Sequence, residues 1–353
     1  MKRARAAAAV DEEPEALVQA ELAEDGAALL ERANAVDALA AENAEVPAKP
    51  AGGKGRGKKA PAEPVARLVP PALHATNDLA FSCTFPYGHR LAFTMVRAAS
   101  VGKTAEVDFM PNGLKMQQMS SFGSCFVELN VPAASFLAWK VPDQGCTRVF
   151  FYEELEFLAA NSKPEHSLTL YATHNDPDYV WARLFSADSD RRIRLSLNGA
   201  ANMQDILQLP HETWPYPCRI RMNSLALRDE IALCERAKSV AVELTLNAGN
   251  KLVITTFCDD ARREQNTTYQ SLVDTEGILP GHELNATGIE ADELFVVKFF
   301  SLLLKMREMS SRVDLSFGLA KKPLRLVFAM ETPGNVDGPV LGTVTALLMD
   351  KEK

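Results

Sequence analysis

The chain has 353 residues and a formal net charge of −8, from 38 Lys and Arg residues against 46 Asp and Glu residues. This length can bury more than one hydrophobic core, and the 47% hydrophobic and 24% charged content is ordinary for a soluble protein. No apolar run approaches the roughly 20 residues of a membrane-spanning helix. The negative charge argues against nucleic-acid binding over the whole surface, but local basic stripes are compatible with it because the field depends on where charges lie.

Residues 1–76 differ in composition from the rest and contain no Phe, Trp or Tyr. Such a segment cannot bury enough apolar area to offset its chain entropy, so we predict a disordered Ala/Glu/Lys/Pro-rich tail. Within it, 15–42 has the composition of a transient helix and 48–64 is a basic linker. The linker has two interpretations, a nuclear-targeting or nucleic-acid-tethering patch and a solubilising tail.

The first folded elements are a strand at 79–85 and a helix at 90–100, whose apolar residues recur at helical spacing. Arg90, Thr94 and Arg97 form a polar stripe on this helix because residues seven apart nearly eclipse. Residues 106–132 then alternate apolar and polar side chains in three short runs, separated by turn formers such as Asn112 and Gly113. This period of two predicts an antiparallel meander with one buried and one wet face.

Further strands are predicted at 136–139, 147–152, 167–171, 179–185 and 193–197, with a short helix at 153–161. Residues 198–217 interrupt this rhythm, and prolines at 210, 215 and 217 predict an extended connector. After the connector a strand at 218–222 leads into a helix that Asn223 and Ser224 can cap. Strands at 240–246 and 252–256, a polar loop at about 271–292, a strand at 293–297, a helix at 299–309 and strands at 313–317, 323–328 and 343–348 complete the chain.

Helix-plus-strands units therefore appear about four times, two on each side of the connector. We predict two similar domains, at 77–197 and 218–353, joined by the connector 198–217. The fold class is α+β, with two helices on antiparallel sheets in each of two tandem, pseudo-symmetric domains.

The sequence also resembles the proliferating cell nuclear antigen (PCNA) family of DNA sliding clamps, as a divergent cellular or viral member. The resemblance covers about residues 78–353. It lies in VDFMPNGLKMQQMSSFGSCFVELNV, in LQLPHETWPYP followed by CRIRMNSLALRDEIALC, and in KPLRLVFAM with GTVTALLM. It implies a homotrimeric ring around duplex DNA, with helices lining the hole, loaded by a clamp loader. Polymerases and other replication and repair proteins would dock through short peptides.

The resemblance implies sequence-independent phosphate contacts from basic residues on the helices: Arg90, Arg97, Lys103, Lys163, Arg228, Arg236, Lys238, Lys298 and Lys305. The helix at 153–161 departs from the family pattern, since Glu153, Glu154 and Glu156 stand where basic residues are usual. The implied partner-peptide pocket lies under the connector and comprises Met119, Ser121, Leu207, Leu209, Pro210 and Pro323. The implied subunit contacts pair two strand edges through Arg192, Arg194, Thr267 and Tyr269.

Two other classes compete with a ring-shaped clamp. An enzyme is disfavoured because the six histidines are dispersed and no nucleophile elbow or phosphate loop is present, so we expect no catalytic residues, no metal and no cofactor. The six cysteines lack metal-ligand spacing and indicate reduced thiols. A non-ring processivity subunit, monomeric or dimeric, or one subunit of a heterotrimeric checkpoint-type clamp keeps the fold without the homotrimer. We expect a nuclear location, or a viral replication compartment.

Overall fold

The computed structural model describes residues 70–71, 78–102, 104–120, 123–199, 214, 216, 218–236, 239–247, 251–258, 264–269, 291–296, 303–317, 323–335 and 338–349. Lys103, Ser121, Leu207, Leu209, Pro210, Lys238 and Lys298 lie outside these ranges, as does nearly all of the predicted tail and connector. None of the helices described is long and apolar enough to cross a membrane.

The first half contains nine strands and two helices among the described residues. The strands are β1 (Leu79–Phe85), β2 (Thr104–Met110), β3 (Gly113–Met119), β4 (Cys125–Pro132), β5 (Ala138–Lys140), β6 (Cys146–Phe151), β7 (Ser167–Thr173), β8 (Tyr179–Phe185) and β9 (Asp190–Ser196). The helices are α1 (Gly88–Ala99) and α2 (Tyr152–Asn161).

The described part of the second half has eight strands and one complete α-helix. The strands are β10 (Cys218–Asn223), β11 (Ser239–Asn247), β12 (Lys251–Cys258), β13 (Glu264–Tyr269), β14 (Ala291–Val296), β15 (Arg312–Phe317), β16 (Leu324–Met330) and β17 (Gly342–Leu348). The helix is α3 (Ser224–Arg236), and a 3₁₀ helix spans Lys305–Glu308.

These strands form three antiparallel sheets. The five-stranded sheet has the order β5-β1-β7-β8-β9, and the four-stranded sheet has the order β13-β12-β11-β14. The eight-stranded sheet, β10-β15-β16-β17-β4-β3-β2-β6, takes strands from both halves, and the pairing of β17 with β4 joins them. The two halves therefore share one continuous sheet rather than meeting only through side chains.

The helical segments contact one another in one layer and pack against strands of all three sheets, on the side that we call inner. Helix α1 contacts α2 on one side and the 3₁₀ helix on the other, and α3 contacts the same 3₁₀ helix. Apolar residues of α1 such as Leu91 and Met95 share a core with Leu168 of β7 and Val127 of β4. Burial of this apolar face is what holds the helices on the sheets.

Most predicted elements agree with the structure to within a few residues. The predicted turn between β2 and β3 contains Gly113 at φ +148°, where a Cβ atom would lie 2.3 Å from the Val131 carbonyl oxygen. The strand predicted at 136–139 is wrong in part: Ala133–Ser135 is 3₁₀ and the strand begins at Ala138. The ring of Phe136 packs instead against those of Phe85 and Trp139, at centroid distances of 5.1 and 4.4 Å.

Candidate functional site

The polar stripe on α1 does not face solvent, which corrects the sequence analysis. Arg90 is half-buried, and its Nη1 donates to the carbonyl oxygens of Met309 (2.9 Å) and Glu331 (2.7 Å) in the second half. The hydroxyl of Thr94 is buried and donates to the Arg90 carbonyl oxygen, and Arg97 is only 2% exposed. Arg90 is thus bonded to the second half and Arg97 is buried, so the stripe is not a solvent-exposed basic surface.

Four other predicted basic residues lie at or near the surface. Lys163 and Arg236 are exposed, and Arg228 and Lys305 are partly exposed. Arg228 donates to the adjacent carboxylate of Asp229 at 3.3 Å. Because α3 and the 3₁₀ helix are in contact, Arg228, Arg236 and Lys305 belong to one continuous part of the helical layer.

Helix α2 presents a different surface from α3. Its exposed side carries Glu153 and Phe157, the latter 54% exposed, and Glu154 and Glu156 are partly exposed. Leu155 and Leu158 occupy the buried side. The glutamates therefore lie on the water-facing side of α2, and this part of the layer does not attract phosphate.

A second buried apolar group lies on the outer face of the eight-stranded sheet, opposite the main core. Met119, Phe126 and Leu347 are directly opposite one another on β3, β4 and β17, and Arg325 of β16 continues the row. Phe126 (5% exposed) and Leu347 (1%) are buried without belonging to the main core. Three strand spacings separate Met119 from Arg325, or roughly 14 Å. This row could line a groove for an apolar peptide anchor.

The connector contributes to the same end of the sheet. Tyr216 is buried, and the guanidinium of Arg325 lies 5.8 Å from the centre of its ring. Pro323 is buried immediately before β16, and the backbone N–H of Met349 donates to the Ser124 carbonyl oxygen at 3.0 Å. Of the predicted pocket residues, Met119 and Pro323 thus lie at one end of the sheet, and the other four are outside the described residues.

Sequence analysis missed Phe126, Leu347, Tyr216 and Arg325. A signal for two of them was present, because 125–127 and 346–349 are unbroken apolar runs within otherwise alternating strands. Such a run indicates that both faces of the strand are covered. Further along the outer face the side chains are polar, as in the ion pair of Lys115 with Glu128 (3.0 Å), so the apolar row is confined to one end.

The predicted subunit contacts fall on sheet edges. Among the described strands, β9 with Arg192 and Arg194 is one edge of the five-stranded sheet, and β13 with Thr267 and Tyr269 is one edge of the four-stranded sheet. Arg192 and Arg194 are exposed, and the Arg194 guanidinium lies 4.3 Å from the centre of the Tyr179 ring. Both edges can therefore accept a further strand.

The residues that the structure describes contain no group of three or more His, Cys, Asp or Glu that could hold a metal ion. Burial raises the pKa of the Cys83, Cys125 and Cys146 thiols, so none is activated as a thiolate.

Comparison with solved structures finds chains of similar fold. The complex of PCNA2 with PCNA3 from Sulfolobus tokodaii aligns with a TM-score of 0.62 and 16% identity, over 76% of this chain and 99% of that one. PCNA from Entamoeba histolytica aligns with a TM-score of 0.63 and 16% identity, over 78% of this chain and 100% of that one.

No protein-family model and no curated protein matches the sequence. The similarity is therefore structural, and at 16% identity it concerns the fold. It confirms the predicted α+β class, with antiparallel sheets backed by a few helices. The chain has the fold of the PCNA sliding clamps, with little sequence similarity to these two solved structures.

Proposed function

We propose that the protein is a DNA polymerase processivity factor that encircles duplex DNA as a homotrimeric ring, in the nucleus or in a viral replication compartment. The observation that carries the proposal is the extent of the structural match, which spans 99–100% of the length of PCNA chains. A match over a complete clamp subunit is what a ring component requires, since the sheets and the helical layer must both be present.

The helical layer supports the DNA-binding part of the proposal. A clamp must slide along the duplex while it stays bound to it. Its contacts are therefore made to phosphates, do not depend on sequence and weaken as the salt concentration rises. Lys163, Arg228, Arg236 and Lys305 are the described candidates for these contacts. Helix α2 is acidic, and on α1 Arg97 is buried while Arg90 bonds to the second half. We therefore assign most of the phosphate attraction to α3 and the neighbouring 3₁₀ helix.

The sheet edges support ring closure, and the row of Met119, Phe126 and Leu347 on the outer face of the eight-stranded sheet supports peptide docking. Ring closure would pair β9 of one subunit with β13 of the next and bring Arg192 and Arg194 close to Thr267 and Tyr269. Polymerases and other replication and repair proteins would dock by peptide beside Met119, the partly exposed end of this apolar row, where an apolar anchor can be desolvated. A clamp loader would open the closed ring around DNA.

Mass measurement in solution tests the ring. Light scattering at micromolar concentration should give three times the chain mass of 38.6 kDa. Replacing both Arg192 and Arg194 with Glu should shift the protein towards one chain mass, whereas Lys140→Glu on β5, the opposite edge of the same sheet, should not. A wild-type protein that stays at one chain mass would exclude the homotrimer while leaving the fold intact.

A topological assay tests encirclement directly. Protein incubated with a linear duplex that has one free end should thread onto it and stay bound through a high-salt wash once that end is blocked. The same wash should remove it from DNA whose end remains open. Equal loss from both substrates would show that binding is electrostatic only, and would contradict a clamp that holds DNA by its shape.

A further inference from the structure

The outer face of the five-stranded sheet is buried at its centre although no described sheet packs on it. On the inner face, residues such as Leu170 and Ala182 belong to the main core. On the outer face, Thr169 is 3% exposed, Tyr171 8% and Arg183 4%. Alternate residues on a sheet that borders water are ordinarily exposed, so these low exposures show that the centre of the face is covered, whereas Arg192 and Arg194 at its β9 edge are exposed.

A described segment from outside the sheet contacts this face. Nη1 of Arg183 donates to the carbonyl oxygen of Pro71 at 2.8 Å. Sequence analysis assigns Pro70 and Pro71 to the disordered extension, since they precede β1. The contact joins residues 112 positions apart, so it is not a product of local chain geometry.

Arg183 is held in place for this contact by a second partner. Its Nε and Nη2 donate to the two carboxylate oxygens of Asp190, at 2.8 and 2.7 Å. This bidentate pair orients the guanidinium plane and leaves Nη1 for Pro71. The hydrogen bonds to Asp190 raise the pKa of Arg183, and those from Arg183 lower the pKa of Asp190, so both stay charged at neutral pH.

The surroundings of Arg183 have the chemistry of a proline-binding surface. Tyr171 and Trp181 stack with ring centroids 6.4 Å apart. They pair with each other two residues along the strands from Thr169 and Arg183, and so lie on the same face. The Arg183 guanidinium also lies 5.5 Å from the centre of the Phe185 ring. Proline-rich segments bind to aromatic surfaces through their rings and carbonyl oxygens, because proline lacks an N–H and is already extended.

We propose that this outer face is a binding site for the Pro70–Pro71 segment of the same chain and that it anchors the N-terminal extension. The site comprises Tyr171, Trp181 and Arg183, with Asp190 as the residue that positions Arg183. It does not depend on ring formation or on DNA binding. The anchor lies on the face of the sheet opposite the main core. Lys59 is twelve residues before Pro71 and thus stays within roughly 40 Å of the anchor.

Limited trypsin digestion of the full chain, followed by mass spectrometry, tests the anchor. The bond after Arg67 is four residues from Pro71, and the bond after Lys59 serves as an internal control in the same extension. We expect cleavage after Arg67 to be at least about tenfold slower than after Lys59, because a protease must detach the segment before it can cut. Equal rates at the two bonds in the wild-type protein would overturn the proposal without any variant.

Two substitutions separate the anchor from general charge effects. Arg183→Gln should raise cleavage after Arg67 to the rate after Lys59. Lys140→Gln, which removes an exposed cation on β5 at the opposite edge of the same sheet, should leave the protection unchanged. Protection that survives Arg183→Gln would contradict the site. Protection that disappears on dilution would show that the segment docks on another copy, and would also overturn an anchor within one chain.

Discussion

Helices α1 and α3 occupy equivalent places in the two halves, yet their basic residues have opposite environments. Each helix follows the first strand of its half and precedes an antiparallel meander. On α1, Arg90 bonds to carbonyl oxygens of the second half and Arg97 is buried, whereas on α3 Arg228 is partly exposed and Arg236 is exposed. A basic residue at a repeated position can therefore have a structural role in one half and be available to a ligand in the other.

The largest effect on stability is expected from Arg90→Ala. It removes two charge-assisted hydrogen bonds and leaves the carbonyl groups of Met309 and Glu331 to find other partners, so we expect a loss of about 2–4 kcal/mol in the free energy of unfolding. Arg228→Ala on α3 should change it by less than about 0.5 kcal/mol. Urea unfolding of both variants gives the comparison, and equal losses would remove the distinction between the two helices.

For DNA binding we expect the opposite, with a larger effect from substitutions on α3 than from substitution of Arg90 on α1. Replacing Arg228 and Arg236 with Glu should weaken the affinity for duplex DNA about tenfold at low salt and lower the salt slope by about two. Arg90→Ala should leave the affinity of the folded protein unchanged. Lys140→Glu on β5, which makes half of that change in net charge away from α3, shows whether added negative charge alone weakens binding. Fluorescence anisotropy across a salt series measures both quantities, and a stronger loss for Arg90→Ala than for the α3 variant would place the phosphate contacts on α1.

Acid should loosen the start of α1 through His89 and His166. Nδ1 of His89 lies 3.1 Å from the Ser162 carbonyl oxygen, and Nδ1 of His166 accepts the backbone N–H of Lys163 at 3.0 Å. Burial lowers the pKa of both imidazoles below 6.5. A lowered pKa means that the neutral ring stabilises the fold above about pH 6.5, and that this contribution is lost as pH falls through the folded-state values.

Thermal unfolding between about pH 7.5 and pH 5 measures this effect. The melting temperature should fall with pH in the wild-type protein and fall less when His89 and His166 are both replaced by Gln. His174→Gln, at an exposed turn after β7, should keep the wild-type pH dependence. A double variant with an unchanged slope would show that other groups cause the acid effect.

The smallest effect concerns how the two helices begin. The backbone N–H of Leu225 donates to Oδ1 of Asn223 at 2.9 Å, which caps α3, whereas α1 starts after Tyr87 without a side-chain cap. Asn223→Ala should therefore destabilise the protein by about 1 kcal/mol, and Asn223→Asp should retain most of the stability. Urea unfolding distinguishes the two variants. Equal stability of Asn223→Ala and the wild-type protein would mean that packing alone sets the start of α3.

Much of the fold was accessible from sequence because its elements have strong periods. The meander of β2, β3 and β4 follows alternating residues and a Gly-containing turn, and α1 follows a helical repeat with Leu91 and Met95 on its buried side. The cap at Asn223 was predicted from its residue type and is confirmed. The strand predicted at 136–139 was misplaced, because packing of Phe136 against the ring of Phe85 on β1 outweighed its local preference.

The candidate sites were less accessible, since each depends on contacts between distant parts of the chain. Met119 and Pro323 were singled out through the family resemblance, but Phe126, Leu347 and Tyr216 were not. The contact of Pro71 with Arg183 has no signal in composition or periodicity. Nothing local distinguishes Arg90, which is bonded into the second half, from Arg228, which is partly exposed.

By itself, the sequence determined the type and order of most elements and the unusual composition of the first 76 residues, because periodicity and turn formers act over a few neighbouring positions. The division into two similar domains stays a prediction from the same patterns. Only the tertiary structure decided that β17 pairs with β4 to join the halves, that Arg90 bonds to the second half and that Arg97 is buried. It also decided that Arg183 holds Pro71. These features depend on which surfaces meet, and the free energy of those contacts comes from residues that are far apart in the chain.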